Sequence, residues 1–410
     1  MTRLDSLPRA AGRKFDTLLG IFPVVVATGA RQTGKSTLVT GHPAMAGRPV
    51  FSLDSAATRA DAARDPEGFV AQSPTMIIDE VQRVPELMLA IKRAVDMEGQ
   101  ATKGRFVLTG SANLLMMKQV ADSLAGRAAY LRLGPMTRRE QLGFGETGRW
   151  SSLLSEHPDR WRDVLAEDVA PPEDWRDLSV RGGFPPPALH LPDDARAFWF
   201  EDYVSTYVER DLRDLSAVEL LGDFQRTMRA LALRAGNPLN QNEIARDLGV
   251  PQRNISRWIG LMETSWLLTQ LPAYTVNRTS RLKKRPKIYW ADAGLSLHLS
   301  GEHDPRGVHL ETLVLSDLHA WAALETRRPE ILYWRTADNA EVDFIIETAR
   351  TLLAVEVKSA TKVSLSDAAN LKRFVAEYGD ACHGAILLYD GTDIVRLADR
   401  VMAVPWWQVV

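Results

Sequence analysis

The sequence predicts an α/β protein of several domains. A doubly wound parallel sheet comes first, followed by a helical connector, a small helix-turn-helix unit and a second α/β domain. Three features carry that prediction. An apolar run, Ile21 to Ala27, leads into a glycine-rich loop. A second apolar run, Met76 to Ile78, ends in two carboxylates, Asp79 and Glu80. Far downstream an acid, Asp343, interrupts one strand pattern, and the next strand carries Glu356-Val357-Lys358. In the first third, strands alternate with helices, which implies a parallel sheet with its ligand at the carboxyl ends of the strands.

Size and composition bound the rest. At 410 residues the chain has room for two to four domains, since domains run to ~100–200 residues. The net charge of -2 excludes a polycation, so any nucleic-acid surface must be local. One cysteine, Cys382, rules out an internal disulfide framework and fits a reducing cytoplasm. Met1 to Lys14 is polar and shows no signal-peptide core. No run approaches the ~18–20 apolar residues of a membrane span. None of the 11 tryptophans precedes Trp150, so the N-terminal third differs in kind from the remainder of the chain.

The glycine-rich loop reads Gly29-Ala30-Arg31-Gln32-Thr33-Gly34-Lys35-Ser36-Thr37, the G-x-x-x-x-G-K-S pattern of a phosphate-binding loop (P-loop). Gly29 and Gly34 let the backbone curl with its N–H groups around an anion, and the dipole of the following helix adds to the attraction. Lys35 is expected to reach the β/γ-phosphates of ATP, and Ser36 to ligate Mg²⁺. Asp79 is the expected second metal residue, and Glu80 is placed to orient and deprotonate the attacking water. Arg105 to Asn113 reads as another buried strand with polar residues at its exit. Thr109, Ser111 or Asn113 is expected to sense the terminal phosphate. An arginine from a neighbouring copy often completes hydrolysis. Arg127 in Ser123-Leu124-Ala125-Gly126-Arg127 is the first candidate, with Arg138, Arg139 and Arg210 as competitors.

The loop, Ile77-Ile78-Asp79-Glu80-Val81-Gln82, Leu108-Thr109-Gly110-Ser111-Ala112-Asn113, Ser123 to Arg127 and Gly182-Gly183-Phe184-Pro185 together resemble a widespread group of prokaryotic AAA-type ATPases. The resemblance runs over nearly the whole chain. It implies a P-loop NTPase domain, a restriction-endonuclease-like C-terminal end, and work as a homo-oligomer, in a ring such as a hexamer.

Thr137 to Asp214 is expected to be mostly helical, with Phe198, Tyr203, Tyr207, Leu212 and Leu215 on the inner face of its last helix. Three helices come next, Phe224 to Ala235, Asn240 to Val250 and Pro251 to Met262. The third opens with Gln252, Arg253, Asn254 and, one turn on, Arg257, side chains suited to a DNA groove. Two strands, Leu267 to Tyr274 and Lys287 to Trp290, bound the stretch Arg278 to Lys287, which holds six cations in ten residues, Lys287 the last of them. Among them, Arg281, Lys283, Lys284 and Arg285 are expected to track phosphates from a wing. This stretch resembles a winged helix-turn-helix.

In the last domain, strand alternation puts Glu356 and Lys358 on one face, with Asp343 beside them and Glu311 arriving from the preceding helix. The D…E-x-K pattern resembles the restriction-endonuclease-like fold, in which such carboxylates hold Mg²⁺. The expected domains are 1–136 (P-loop ATPase), 137–222 (helical connector), 223–300 (winged helix-turn-helix) and 301–410 (restriction-endonuclease-like). The expected molecule is a cytoplasmic, Mg²⁺-dependent ATPase that acts on DNA, with no membrane partner and a nuclease-like tail of undecided activity. The alternative is a nucleotide-dependent oligomeric switch whose C-terminal half binds a protein.

Overall fold

The computed structural model describes residues 7–98, 102–110, 124–167, 170–215 and 221–410, with the side chains of 207–215 left undescribed. Ser111, Asn113 and the side chain of Arg210 lie outside the described residues. Five strands build the first sheet. They are β1 (Val24–Thr28), β2 (Val50–Ser52), β3 (Met76–Asp79), β4 (Phe106–Thr109) and β5 (Ala128–Arg132). All run parallel in the order β2-β3-β4-β1-β5. Alternation sorts their side chains into two layers. Val24, Val26, Ile78 and Leu108 face the helix Leu87–Glu98 on one side. Val25, Ala27, Ile77 and Val107 face Phe15 and Leu19 of the helix Ala11–Ile21 on the other. A sheet covered on both faces needs apolar residues at every position, and all five residues of β1 are buried.

Two local readings differ from the structure. Residues Asp61 to Gln72 read as one helix in the sequence, whereas the structure has two, Ala56–Arg64 and Pro66–Ala71. Pro66 bars helical angles at Asp65, whose carboxylate caps the second helix by accepting from Gly68 N at 2.9 Å. In the helix Asp193–Leu215, Phe198 is 79% exposed rather than inward. Its neighbours Trp199, Phe200 and Tyr203 form the packed face, with Trp199 stacked on Tyr203 at 5.1 Å.

Three helices, Leu221–Ala232, Gln241–Leu248 and Gln252–Thr264, pack around Phe224, Ile244, Ile255 and Ile259. An antiparallel ribbon of β6 (Leu268–Leu271) and β7 (Lys287–Trp290) comes after them. The segment between these strands is not a free cationic tip. It contains a helical turn, Arg278–Arg281, capped by Asn277. Arg281 is 7% exposed and pairs with Glu330 and Glu347, so it is withdrawn from the phosphate-binding set. Tyr274 lies under its guanidinium.

The C-terminal domain opens with the helix Gly307–Leu324 and three antiparallel strands, β8 (Glu330–Arg335), β9 (Glu341–Glu347) and β10 (Leu352–Lys358). The helix Ala369–Tyr378 crosses to β11 (Cys382–Tyr389), which runs parallel to β10. Two strands absent from the sequence-based expectation, β12 (Val395–Ala398) and β13 (Val401–Pro405), complete the order β12-β13-β11-β10-β9-β8. The weakly patterned stretch before residue 178 gives Trp150, Trp161 and Trp175 to the core of this domain, against Leu318, Phe344 and Ile386. Among the described residues, no helix is long and apolar enough to cross a membrane.

Asp317 anchors that packing. Its carboxylate accepts from Trp150 Nε1 at 2.6 Å and Gly148 N at 2.8 Å. Burial pushes the carboxyl up to about 7 despite those donors. A carboxyl raised on folding favours the fold while protonated. Its contribution is complete below the unfolded value of ~3.9 and is lost as pH rises through about 7. Denaturant melts of the wild type are expected to weaken across that window, and Asp317→Asn is expected to flatten the decline.

Candidate functional site

The carboxyl ends of β1, β3 and β4 gather the first set of chemical groups. Leaving β1, the chain turns at Gly29 (φ 150°), where a Cβ would stand 2.0 Å from Leu133 O. Gly34 takes left-handed angles immediately before the helix Lys35–Gly41. No L-residue fits the first position, and glycine suits the second. Thr33 Oγ1 closes the loop on Ala30 O at 3.0 Å. Lys35 is 7% exposed, and its ammonium donates to Gly29 O at 3.2 Å and Ala30 O at 2.7 Å.

Strand order decides what meets this loop. β4 lies between β1 and β3, so Thr109 ends its strand between Ser36 and Asp79. Ser36 Oγ donates to Asp79 Oδ1 at 2.8 Å, and Thr109 Oγ1 donates to the same oxygen. Two hydroxyls and a carboxylate beside the glycine-rich loop form a set of hard oxygen donors. Glu80 sits next in left-handed conformation (φ 56°), its carboxylate accepting from Gln82 Nε2.

Arg127 is not at this edge. Its carbonyl accepts from Val24 N, at the start of β1, so it marks the opposite edge of the sheet. Its side chain pairs with Asp96 at 2.5 Å. Within one chain it cannot reach the loop. Of its competitors, Arg138 and Arg139 are buried and ion-paired, with Glu173 and Glu146 respectively.

Two contributors carry no signal in the sequence. Arg9 spans the loop and its surroundings, donating to Thr33 O at 2.7 Å and Gly134 O at 2.8 Å while pairing with Glu140 at 3.1 Å. Beside it opens a cavity of about 550 Å³ walled by Pro8, Thr37, Leu38, His42, Pro185 and Leu189. Its size and mainly apolar wall suit a small planar group. Pro185 belongs to the Gly182-Gly183-Phe184-Pro185 turn. That turn is held by Asp292, which accepts from Gly183 N at 2.6 Å, and by Met136 N, which donates to Gly183 O at 2.6 Å.

The basic surface is partly assembled. Lys283, Lys284 and Arg285 are exposed and line one groove with Gln241 and Gln252. Arg253 and Arg257 are exposed on the adjoining helix.

The C-terminal acids do converge. Asp343 Oδ2 accepts from Val357 N at 3.0 Å, and Lys358 donates to Glu356 at 2.7 Å. Tyr289 donates to Glu311 at 2.7 Å. Burial first, then the charge of Asp343, pushes both Glu311 and Glu356 up to about 8. The residue missed here is Lys287, which the sequence places among the wing cations. It is 1% exposed, 2.5 Å from Glu341 and 3.5 Å from Asp343. Burial opposes its charge, yet Asp343, Glu311 and Glu341 outweigh burial and hold the ammonium above the ordinary lysine range.

Comparison with known proteins bears on the N-terminal sheet as a domain. Residues 22–142 match the family model of an AAA domain, and residues 172–306 and 306–409 match two models of domains of unknown function. An uncharacterised protein of Mycobacterium tuberculosis is 29% identical over 415 residues, covering 98% of this chain and 84% of the relative. One from Haemophilus influenzae is 23% identical over 290 residues, covering 68% and 64%. Among solved structures, a Walker-type ATPase of Pyrococcus abyssi shares 14% identity over 72% of this chain and 99% of its own, at a TM-score of 0.43. The N-terminal third thus combines a match to an AAA domain with a glycine-rich loop on a five-stranded parallel sheet.

Proposed function

We propose that the chain is a Mg²⁺-dependent ATPase that works on DNA as a homo-oligomer. The observation that carries this reading is the 2.8 Å bond from Ser36 to Asp79, beside the glycine-rich loop. Ser36 and Asp79 would hold Mg²⁺, a fit supported by their hard oxygens and exposed position. Bound there, the ion neutralises phosphate charge. The loop amides from Gly29 to Thr37 and the Lys35 ammonium bind and orient the triphosphate. Glu80 takes the proton of the attacking water. The cavity beside Thr37 and Leu38 takes the base. Arg127, turned away from its own loop, serves a neighbouring copy.

The helices 221–264 with the ribbon β6–β7 read as a winged helix-turn-helix, supported by element order and by the shared groove of Gln252 and Lys283 to Arg285. The C-terminal sheet reads as restriction-endonuclease-like, supported by its helix and three antiparallel strands in sequence.

Purified wild type is expected to bind Mg-ATP and release phosphate. Lys35→Ala is expected to lose binding. Glu80→Gln is expected to keep binding and lose at least ~10²-fold in turnover, the scale of a lost general base. Absence of Mg-nucleotide affinity in the wild type refutes the reading.

DNA binding is expected to weaken steeply with salt. Replacing Lys283, Lys284 and Arg285 by Gln is expected to reduce the log–log slope by about 2–3, near one per phosphate contact. Hydrolysis and binding indifferent to DNA, and to those replacements, favour a protein-binding switch.

A further inference from the structure

We propose that Lys287 is the resident cation of the C-terminal carboxylate cluster, standing where a nuclease of this shape would carry a divalent metal, so that the intact protein takes no metal there. This inference is independent of the nucleotide site.

Four carboxylates come together from three elements: Glu311 from the helix Gly307–Leu324, Glu341 and Asp343 from β9, and Glu356 from β10. The buried cation among them comes from outside this sheet, whereas the half-exposed Lys358 belongs to β10 itself. Lys287 opens β7, and its ammonium sits 2.5 Å from Glu341 and 3.5 Å from Asp343 with 1% exposure. Two residues further along the same strand face, Tyr289 donates to Glu311 at 2.7 Å. One strand of the ribbon therefore supplies both a charge and a hydroxyl to the acids.

With Lys287 seated among them, the acids do not present a metal site. Mg²⁺ demands near-octahedral oxygen ligands at ~2.0–2.1 Å. Asp343 already spends one oxygen on Lys287 and the other on Val357 N. Glu356 spends one on Lys358, leaving only Oε2 without a hydrogen-bond partner. Among the described residues, no group of three or more acidic, His or Cys side chains is placed to hold a metal ion. The strand that carries the ammonium is itself held in place. The backbone of Lys287 is paired with Leu271 across the ribbon and bridged to Pro238, and its neighbour's carbonyl, Pro286 O, accepts from Leu239 N at 2.8 Å. A metal could enter only by displacing a clamped, buried positive charge. The ammonium instead binds the ribbon to the sheet, since a buried cation among carboxylates loses its compensation if the two separate.

The test is a Mn²⁺ titration of the full chain without nucleotide, read by the EPR signal of free Mn²⁺. The proteins compared are wild type, Asp343→Asn, Lys287→Met and the double variant Lys287→Met/Asp343→Asn. Wild type and Asp343→Asn are expected to give superimposable curves. Lys287→Met is expected to gain one bound Mn²⁺ per chain, and the double variant to lose it. A wild-type Mn²⁺ site that disappears in Asp343→Asn overturns the proposal. So does Mg²⁺-dependent DNA nicking by wild type that is lost in Asp343→Asn. A folded Lys287→Met that binds no Mn²⁺ overturns it too. If Lys287→Met does not fold, the wild-type and Asp343→Asn pair decides. Phosphate release by the same wild-type preparation is scored separately, so failure here leaves the ATPase reading intact.

Discussion

One carboxylate oxygen, Asp79 Oδ1, accepts hydrogen bonds from the helix start after the glycine-rich loop and from the end of β4, and the first domain is arranged so that this can happen. Ser36 reaches it from the loop after β1, and Thr109 from the end of β4. Neighbouring strands lie ~4.8 Å apart, so β1 and β3, separated by β4, would otherwise stand ~10 Å apart. The register Ala27 to Thr109 and Ile78 to Leu108 sets Asp79 and Thr109 level with the end of β1. A slip of one residue would turn Asp79 into a buried layer, where an unpaired charge is costly. The alternating apolar layers around Val24 to Ala27 and Ile77 to Ile78 make such a slip expensive, so packing enforces the polar site.

The features legible in the sequence are local. A phosphate-binding loop is specified by nine consecutive residues whose backbone angles follow from glycine, and a strand ending in Asp79-Glu80 announces itself by its apolar run. The same holds for Glu356 and Lys358, whose shared face follows from alternation alone. The features that are not legible depend on distance along the chain. Arg9 meets Glu140 and Gly134 across more than a hundred residues, with no periodicity to mark it. The tryptophans at 150, 161 and 175 pair with a sheet that begins at residue 330. Composition misleads for the same reason: six cations in a row of ten read as one exposed surface, yet Arg281 and Lys287 face inward to acids from β8 and β9.

The C-terminal domain separates fold from chemistry. Element order and the spacing of Asp343, Glu356 and Lys358 describe a scaffold that brings acids to one place. The scaffold does not say what compensates them, because the compensating ammonium lies 56 residues from Asp343 in another structural unit. A shared architecture therefore leaves the reaction open until every charge at the site has been assigned.

Ala30 has a role beyond shaping the loop. It is buried in the same apolar cluster as Phe184, Phe200 and Tyr203, and Tyr203 OH donates to Arg31 O at 3.4 Å. The cradle and the three-helix unit thus share one interior. Close-packed interiors do not stretch; they jump between a few discrete fits. Any shift of the cradle by even part of an ångström must be absorbed by reseating those aromatic rings, which makes the helix bearing Phe200 and Tyr203 a lever for events at the loop.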